Sequence, residues 1–218
     1  MKKGRFEADN ERAVPENPQT KAKNSVVDEI WNTCILYLHD LSYLLAIALV
    51  VLLLCFRVVV VAGTSMNSTL LDGDYLFLLS NSFYHEPKQG DIVVVSKDSF
   101  DDGKPIVKRV IAVEGQRVDI DFENGIVYVD EKPLLEPYTL TPTNYEEGMI
   151  FPLTVEEGCV FVLGDNRNKS IDSRSNEIGL IDCREIIGKA IFLFFPGTNK
   201  DAVPRDFSRI GVLNYAGR

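Results

Sequence analysis

The longest apolar stretch of the chain, from about Tyr37 to Ala62, constrains its fold more than any other feature. Residues 41–56 are uncharged and almost wholly apolar, and after Arg57 the stretch continues with four valines and an alanine. At 1.5 Å per residue, a helix of this length crosses a hydrocarbon core about 30 Å thick. The sequence therefore predicts a single transmembrane helix over residues 37–62.

Two other interpretations of this stretch fit less well. A core helix of a soluble domain is rarely apolar on every side over such a length. A cleaved signal peptide has a shorter apolar segment that begins closer to the N-terminus. Arg57 is compatible with a membrane span because its long stem can reach the interface. It also allows the helix to end there, with the valines continuing as a strand.

Basic residues flank the apolar stretch unequally. The N-terminal tail contains six of them, namely Lys2, Lys3, Arg5, Arg12, Lys21 and Lys23. After Arg57 the next base is Lys88. Because cytoplasmic flanks carry an excess of Lys and Arg, we expect residues 1–36 in the cytoplasm and residues 63–218 outside. The tail is expected to be largely disordered, since residues 1–25 are polar and have no apolar period.

From residue 63 onward the pattern is that of short β-strands. Seven segments rich in β-branched or aromatic residues are separated by Gly, Pro, Asn and Asp, and they are 75–79, 91–96, 107–113, 116–120, 126–129, 160–163 and 188–195. Asn124-Gly125 predicts a hairpin turn within a small secondary region at about 120–160. No ten-residue stretch has a convincing helical period. The predicted fold is therefore mainly β, an all-β domain behind one N-terminal transmembrane helix.

Charge and cysteine content exclude several classes of function. The net charge is −9, and residues 63–218 hold the whole excess, with twenty-five acids and sixteen bases. Without a basic stripe that could neutralise phosphates, we expect no nucleic-acid partner.

The four cysteines are Cys34, Cys55, Cys159 and Cys183. They form no C-x-x-C pair and only two histidines accompany them, so no metal or cofactor is implied. Whether Cys159 and Cys183 form a disulfide stays open, because the sequence does not set their distance.

The two histidines are poor candidates for the base of a Ser-His-Asp triad. His39 lies at the start of the membrane segment, and His85 lies in a turn-like stretch. Lysine can act as a base when burial disfavours its charged form. Lys108 lies in an apolar strand, where alternation can turn it inward while Arg109 faces water. Taken alone, this segment is more typical of a surface lysine on an edge strand.

Two further segments change that interpretation. Ser65 lies in GTSMNSTLLDGD (residues 63–74), directly after the membrane segment, with Gly63 allowing another backbone to approach closely. Alone, this is typical of a polar loop that leaves a membrane helix. Residues 163–174 (LGDNRNKSIDSR) follow a predicted strand with a density of charged and hydrogen-bonding side chains that a surface loop does not need.

Together the three segments resemble the bacterial type I signal peptidases, over the membrane anchor and nearly all of residues 58–218. Residues 63–70 match the nucleophile box of this family, residues 90–94 its strand box, and Lys108-Arg109 with Gly115 its general-base box. The late box matches at Gly164, Asp165, Asn166, Ser170, Asp172, Ser173 and Arg174.

The resemblance implies a membrane-anchored serine endopeptidase that removes signal peptides from exported preproteins. In this family Ser65 would attack the scissile carbonyl to form an acyl-enzyme, and Lys108 would take its proton and later activate the deacylating water. Ser170 occupies the position that hydrogen-bonds the lysine. Asp172 and Arg174 occupy the positions of an ion pair that supports the site.

Other implied features concern the substrate and its surroundings. The Ser65 backbone N–H would contribute to the oxyanion hole, whereas Gly63 stands where some members have a second, hydroxyl donor. Met66, Leu70 and Val107 fall where the family lines shallow apolar pockets for small residues at the −1 and −3 positions. The implied partners are signal peptides and the lipid bilayer, near the protein-export translocon of the plasma membrane.

Two departures and two alternatives accompany the resemblance. Ser68 replaces the usual proline of the nucleophile box, and the stretch between Gly115 and Gly164 is short, as in Gram-positive-like enzymes. Lysine at the base position argues against the endoplasmic reticulum branch.

A self-cleaving repressor relative would share the dyad, but the chain has an anchor and no DNA-binding region. An inactive anchored β-domain that acts as a binding or scaffold protein is the other alternative.

Overall fold

The apolar segment forms a helix whose limits differ from the predicted 37–62. In the computed structural model, which describes residues 18–198 and 204–213, helix α1 runs from Pro18 to Cys55. Residues 18–36 of the tail, which was predicted to be largely disordered over residues 1–36, are helical; residues 1–17 lie outside the described residues. The part Glu29–Cys55 is long and apolar enough to cross a membrane, and its side chains are almost all exposed.

The helix ends before the valine run, which forms strand β1 (Phe56–Val60). β-Branched side chains lose rotamer freedom in a helix and pack well on a pleated surface, so this run favours a strand. β1 pairs antiparallel with β2, placing Arg57 opposite Leu78. The helix therefore ends before Arg57 and the valines continue as a strand, which is the second of the two possibilities stated for Arg57. The chain divides into two compact units, Met1–Val50 and Val51–Arg218, and their boundary lies inside the helix.

Twelve strands are present in the described residues. They are β1, β2 (Tyr75–Ser80), β3 (Ile92–Val95), β4 (Ile106–Val113), β5 (Arg117–Asp121), β6 (Ile126–Val129), β7 (Lys132–Pro133), β8 (Leu153–Thr154), β9 (Cys159–Leu163), β10 (Ile181–Asp182), β11 (Ile186–Phe195) and β12 (Gly211–Val212). All seven predicted strands are confirmed with limits within two residues. The fold is mainly β, as predicted.

The strands form two antiparallel sheets. The larger has the order β1-β2-β11-β3-β4-β9-β10, with β12 paired to β11, and the smaller has the order β7-β6-β5-β8. The predicted hairpin is the β5–β6 connection, where Gly125 has φ +71° and its N–H bonds the Asp121 carbonyl at 2.6 Å. A left-handed φ of this kind favours glycine.

Strand β4 is an inner strand of the larger sheet, between β3 and β9. Its six inner residues, 107–112, are all buried, because apolar clusters cover both of its faces. The expectation that Arg109 faces water is therefore wrong: its side chain is 0% exposed. The inward position of Lys108 is confirmed, at 3% exposure.

Candidate active site

Ser65 and Lys108 meet across the domain, although 43 positions separate them in sequence. The serine lies in the loop after β1, and the lysine lies on β4. The distance from the Lys108 Nζ to the Ser65 Oγ is 3.0 Å, which is a hydrogen bond. This is the nucleophile–base geometry that activates a serine hydroxyl.

Burial lowers the pKa of Lys108, because the ammonium loses its hydration. The carboxylates of Asp172 and Glu147 oppose this effect by favouring the charged form. A neutral amine at hydrogen-bond distance can accept the proton of the Ser65 hydroxyl. The environment of Lys108 therefore suits a general base that works below the usual lysine range.

The loop of residues 164–174 holds the Ser65 loop from the other side. The Asn166 backbone N–H donates to the Ser65 carbonyl at 2.9 Å, and its side-chain amide donates to the Thr64 carbonyl at 3.0 Å. A Cβ on Gly164 would lie 2.2 Å from the Ser170 Oγ and 2.6 Å from the Ser65 carbonyl oxygen. Glycine at position 164 is thus what lets the two loops approach.

Two buried arginine–carboxylate pairs fix the surroundings of Lys108. Asp165 accepts from the Arg109 Nε at 2.8 Å and from its Nη2 at 2.7 Å. The ion pair expected between Asp172 and Arg174 is present, with Nε 2.8 Å from Oδ1. Asp172 also accepts the Gly164 N–H at 3.0 Å. Charged hydrogen bonds of this two-point kind hold planar groups in a fixed orientation.

Ser170 lies beside Gly164, but the hydrogen bond expected from it to Lys108 is not made. The Oγ of Ser170 is buried and has no hydrogen-bond partner among the described residues. Its carbonyl accepts from Arg174 at 3.2 Å. The orienting role of Ser170 stays a prediction.

The residues expected to line substrate pockets lie in the core. Met66, Leu70 and Val107 are 1%, 0% and 8% exposed and belong to one apolar cluster. They lie close in sequence to Ser65 and Lys108, but in this structure they are not the walls of an open pocket. Their contact with substrate stays a prediction.

Gly63 is required for a different reason from the one expected. Nothing lies within 4 Å of the position its Cβ would take, so a close backbone approach is not the cause. Its φ is +90°, a left-handed conformation that side chains disfavour. Its N–H donates to Asp72 Oδ1 at 2.8 Å, which closes the loop that carries Ser65.

Other nucleophiles and bases are poorly placed. His85 is exposed. Cys159 and Cys183 are free thiols, which answers the open question of their pairing for this structure. Burial raises the pKa of both thiols and so lowers their reactivity. Within the described parts of the chain, no group of His, Cys, Asp and Glu is arranged to hold a metal ion.

A segment without a sequence motif packs against the buried arginines near Lys108. We call residues 136–149 the strap; it has no regular strand and is held by the buried arginines. Arg167 pairs with Glu136 and donates to the Thr143 Oγ1 at 2.8 Å, and Arg109 stacks on the Tyr138 ring at 3.9 Å. No period or motif in these residues indicates this course, and only Glu136, Glu146 and Glu147 among them are charged.

Comparisons with known proteins identify the family of this chain. Residues 35–195 match the family model described as signal peptidase, peptidase S26. The chain is 38% identical over 187 residues to a probable signal peptidase I-1 of Synechocystis sp., covering 81% of this chain and 90% of that protein. It is 35% identical over 191 residues to a signal peptidase I of Bacillus licheniformis, covering 84% and 96%. A crystal structure of a signal peptidase I from Enterococcus faecalis is 29% identical, covers 48% of this chain and 96% of that chain, and gives a TM-score of 0.39. The chain therefore belongs to the signal peptidase family, peptidase S26.

Proposed function

We propose that this serine endopeptidase cleaves signal peptides with a Ser65–Lys108 dyad. The observation that carries the proposal is the 3.0 Å contact between the Ser65 Oγ and the Nζ of a lysine that is 3% exposed. Family membership supports the reaction, and the contact supports the assignment of its two catalytic residues.

The reaction follows from proton transfers at the Lys108 Nζ. The neutral amine takes the hydroxyl proton as the Ser65 Oγ bonds to the scissile carbonyl carbon. The resulting ammonium gives that proton to the leaving amine as the C–N bond breaks, which leaves an ester on Ser65. Lys108 then takes a proton from water, whose oxygen attacks the ester. Return of the proton to the Ser65 Oγ releases the signal peptide and restores the enzyme.

The charge that develops on the carbonyl oxygen needs hydrogen-bond donors. We assign the Ser65 backbone N–H to this role. Gly63 carries no side-chain donor, so a second donor would have to come from backbone or substrate. We assign small residues at the −1 and −3 positions to the neighbourhood of Met66, Leu70 and Val107, which are buried in this structure and would have to open a pocket to contact them.

The helix is the proposed membrane anchor. Its part Glu29–Cys55 has the length and composition of a single span. The basic tail supports a cytoplasmic N-terminus and an extracytoplasmic catalytic domain in the plasma membrane. Exported preproteins would then reach Ser65 as they leave the translocon.

The deciding experiment is cleavage of a preprotein with an Ala-x-Ala site by the full chain in detergent. Mass spectrometry should place the cut directly after the second alanine. The Ser65→Ala protein is the matched control and should leave the preprotein intact. Absence of cleavage by the folded wild-type protein at every pH from 6 to 11, or equal cleavage by Ser65→Ala, would overturn the proposal.

A further inference from the structure

The strap brings one more carboxylate to the site than the three arginines need. Arg109 is paired with Asp165, and Arg167 with Glu136. Arg174 alone contacts two acids, which are Asp172 and Glu147.

Arg174 does not depend on Glu147 for its hydrogen bonds. Asp172 accepts from both its Nε and its Nη2, at 2.8 and 3.0 Å. The carbonyls of Arg167, Ser170 and Tyr145 accept from it at 2.6, 3.2 and 3.1 Å. The Glu147 Oε1, 3.2 Å from Nη2, adds a charge to a guanidinium that is already satisfied.

The other oxygen of Glu147 is held without a partner. Its Oε2 is buried and has no hydrogen bond of normal geometry from the described residues, although the Asp172 backbone N–H also acts on this carboxylate; the whole side chain is 21% exposed. Burying a carboxylate oxygen without a hydrogen-bond donor costs free energy. An ion pair that served only to stabilise the fold would be expected to place a donor beside that oxygen. The charged groups that act on Glu147 are Asp172 and Arg174 in the 164–174 loop and Lys108 on β4.

The charges of this buried cluster balance only when Lys108 is protonated. Four acids face three arginines, and the acids are Glu136, Glu147, Asp165 and Asp172. The fourth positive charge is the Lys108 ammonium, and Glu147 is the acid without an arginine of its own. Burial raises the pKa of Glu147, and burial lowers that of Lys108, so both groups resist charge in this environment.

We propose that Glu147 is a positioning residue of the active site that stabilises the protonated form of Lys108 from across the cluster and so sets the pH at which the dyad becomes active. The inference rests on the proposed function. Removing the negative charge at position 147 makes the Lys108 ammonium less favourable, so the neutral base forms at lower pH.

The test is the pH profile of kcat/KM for Glu147→Gln on the full chain in detergent. The limb of the profile in which kcat/KM rises with pH should move to lower pH by about 0.5 unit or more. At a pH on the acid side of this limb, kcat/KM should then be about threefold higher. The matched control is Glu146→Gln, which removes the same charge from an exposed neighbour and should leave the limb in place. Glu147→Asp keeps the charge and should restore a profile close to that of the wild type.

Several outcomes would contradict the inference. One is a Glu147→Gln limb that superimposes on that of the wild type, and another is an equal shift in Glu146→Gln. A shift in Glu147→Asp as large as in Glu147→Gln would show that packing, and not charge, is responsible. Thermal unfolding of each variant identifies a misfolded protein; if Glu147→Gln misfolds, Glu147→Ala, which also removes the charge, takes its place. If the wild type fails to cleave at any pH, the proposed function fails first.

Discussion

Arg109 and Asp165 form a two-point ion pair in which neither side chain reaches solvent. Nε lies 2.8 Å from Oδ1, and Nη2 lies 2.7 Å from Oδ2. Arg109 directly follows Lys108 on β4, and Asp165 directly precedes Asn166, which holds the Ser65 carbonyl. The pair therefore joins the strand that carries Lys108 to the loop that holds the Ser65 carbonyl.

Asp165→Asn should destabilise the protein by about 3–5 kcal/mol, because it leaves a buried guanidinium without its counter-charge. The free energy of unfolding of the full chain in detergent measures this loss. The control is Glu131→Gln in the pair Arg117–Glu131, whose side chains are 47% and 82% exposed. Exposed pairs contribute about 1 kcal/mol or less. Equal losses in the two variants would contradict the structural importance of the buried pair.

Ser65→Ala and Lys108→Arg should each reduce kcat/KM by about a thousandfold or more. Arginine keeps the positive charge but stays protonated at any working pH, so it cannot take the serine proton. His85→Ala should leave cleavage close to the wild-type rate, because His85 is exposed and Ser65 bonds Lys108. A His85→Ala variant as impaired as Lys108→Arg would show that the dyad is assigned wrongly.

Much of the fold could be predicted from the sequence, for local reasons. The seven main strands are short apolar runs between turn residues, and such runs specify strands whatever surrounds them. The residue at which the helix ends was harder to predict. An apolar valine run is compatible with a helix or a strand, and pairing with β2 decides between them.

The burial of Arg109 and the course of the strap could not be predicted in the same way. Alternation along β4 says that Lys108 and Arg109 point to opposite sides, but not that both sides are covered. Asp165 and Tyr138, which make the burial of Arg109 possible, belong to distant parts of the chain. The strap has no apolar period that would predict a helix or a strand. Its course depends on contacts to Arg167 and Arg174, which are distant in sequence.

Gly164→Ala should abolish cleavage. Its Cβ would lie 2.5 Å from the Ser170 Cβ and 2.6 Å from the Ser65 carbonyl oxygen, so the nucleophile loop must move. Ser170→Ala is the companion variant: it removes a buried hydroxyl that has no partner in the described structure, so the unfolding temperature should not fall. A lower rate in Ser170→Ala at unchanged stability would support an orienting role for this hydroxyl. Normal cleavage by Gly164→Ala would contradict the close contact of the two loops.

Accessibility to a membrane-impermeant maleimide tests the proposed orientation. Ser99→Cys, at an exposed position of the β-domain, should be labelled in intact cells. Lys3→Cys should be labelled only after the cells are broken. The unsubstituted protein gives the contribution of the four native cysteines. The reverse pattern of labelling would place Ser65 on the cytoplasmic side and exclude the proposed topology.

Lys108→Met should inactivate the enzyme, since it replaces the lysine amine by an apolar chain of similar size. Methionine also removes the cost of a poorly hydrated ammonium, which the folded protein bears only where Lys108 is protonated. Burial lowers the pKa of Lys108 in the folded state, so between that pKa and the ordinary lysine value of 10.5 the unfolded chain binds more protons than the folded one. Wild-type stability attributable to Lys108 therefore rises with pH across this window.

The advantage of Lys108→Met over the wild type should accordingly be greatest at neutral pH and shrink as the pH approaches 10.5. Unfolding free energies of both proteins at a series of pH values from about 6 to 10 measure this difference, and taking the difference removes the titration of groups common to both proteins. Lys104→Met is the control, because the Lys104 side chain is 66% exposed and its ammonium is already hydrated. This variant should differ little from the wild type at any pH. A Lys108→Met advantage that stays constant with pH would show that the lysine is not destabilised as an ammonium, and the argument for a neutral base at position 108 would fail.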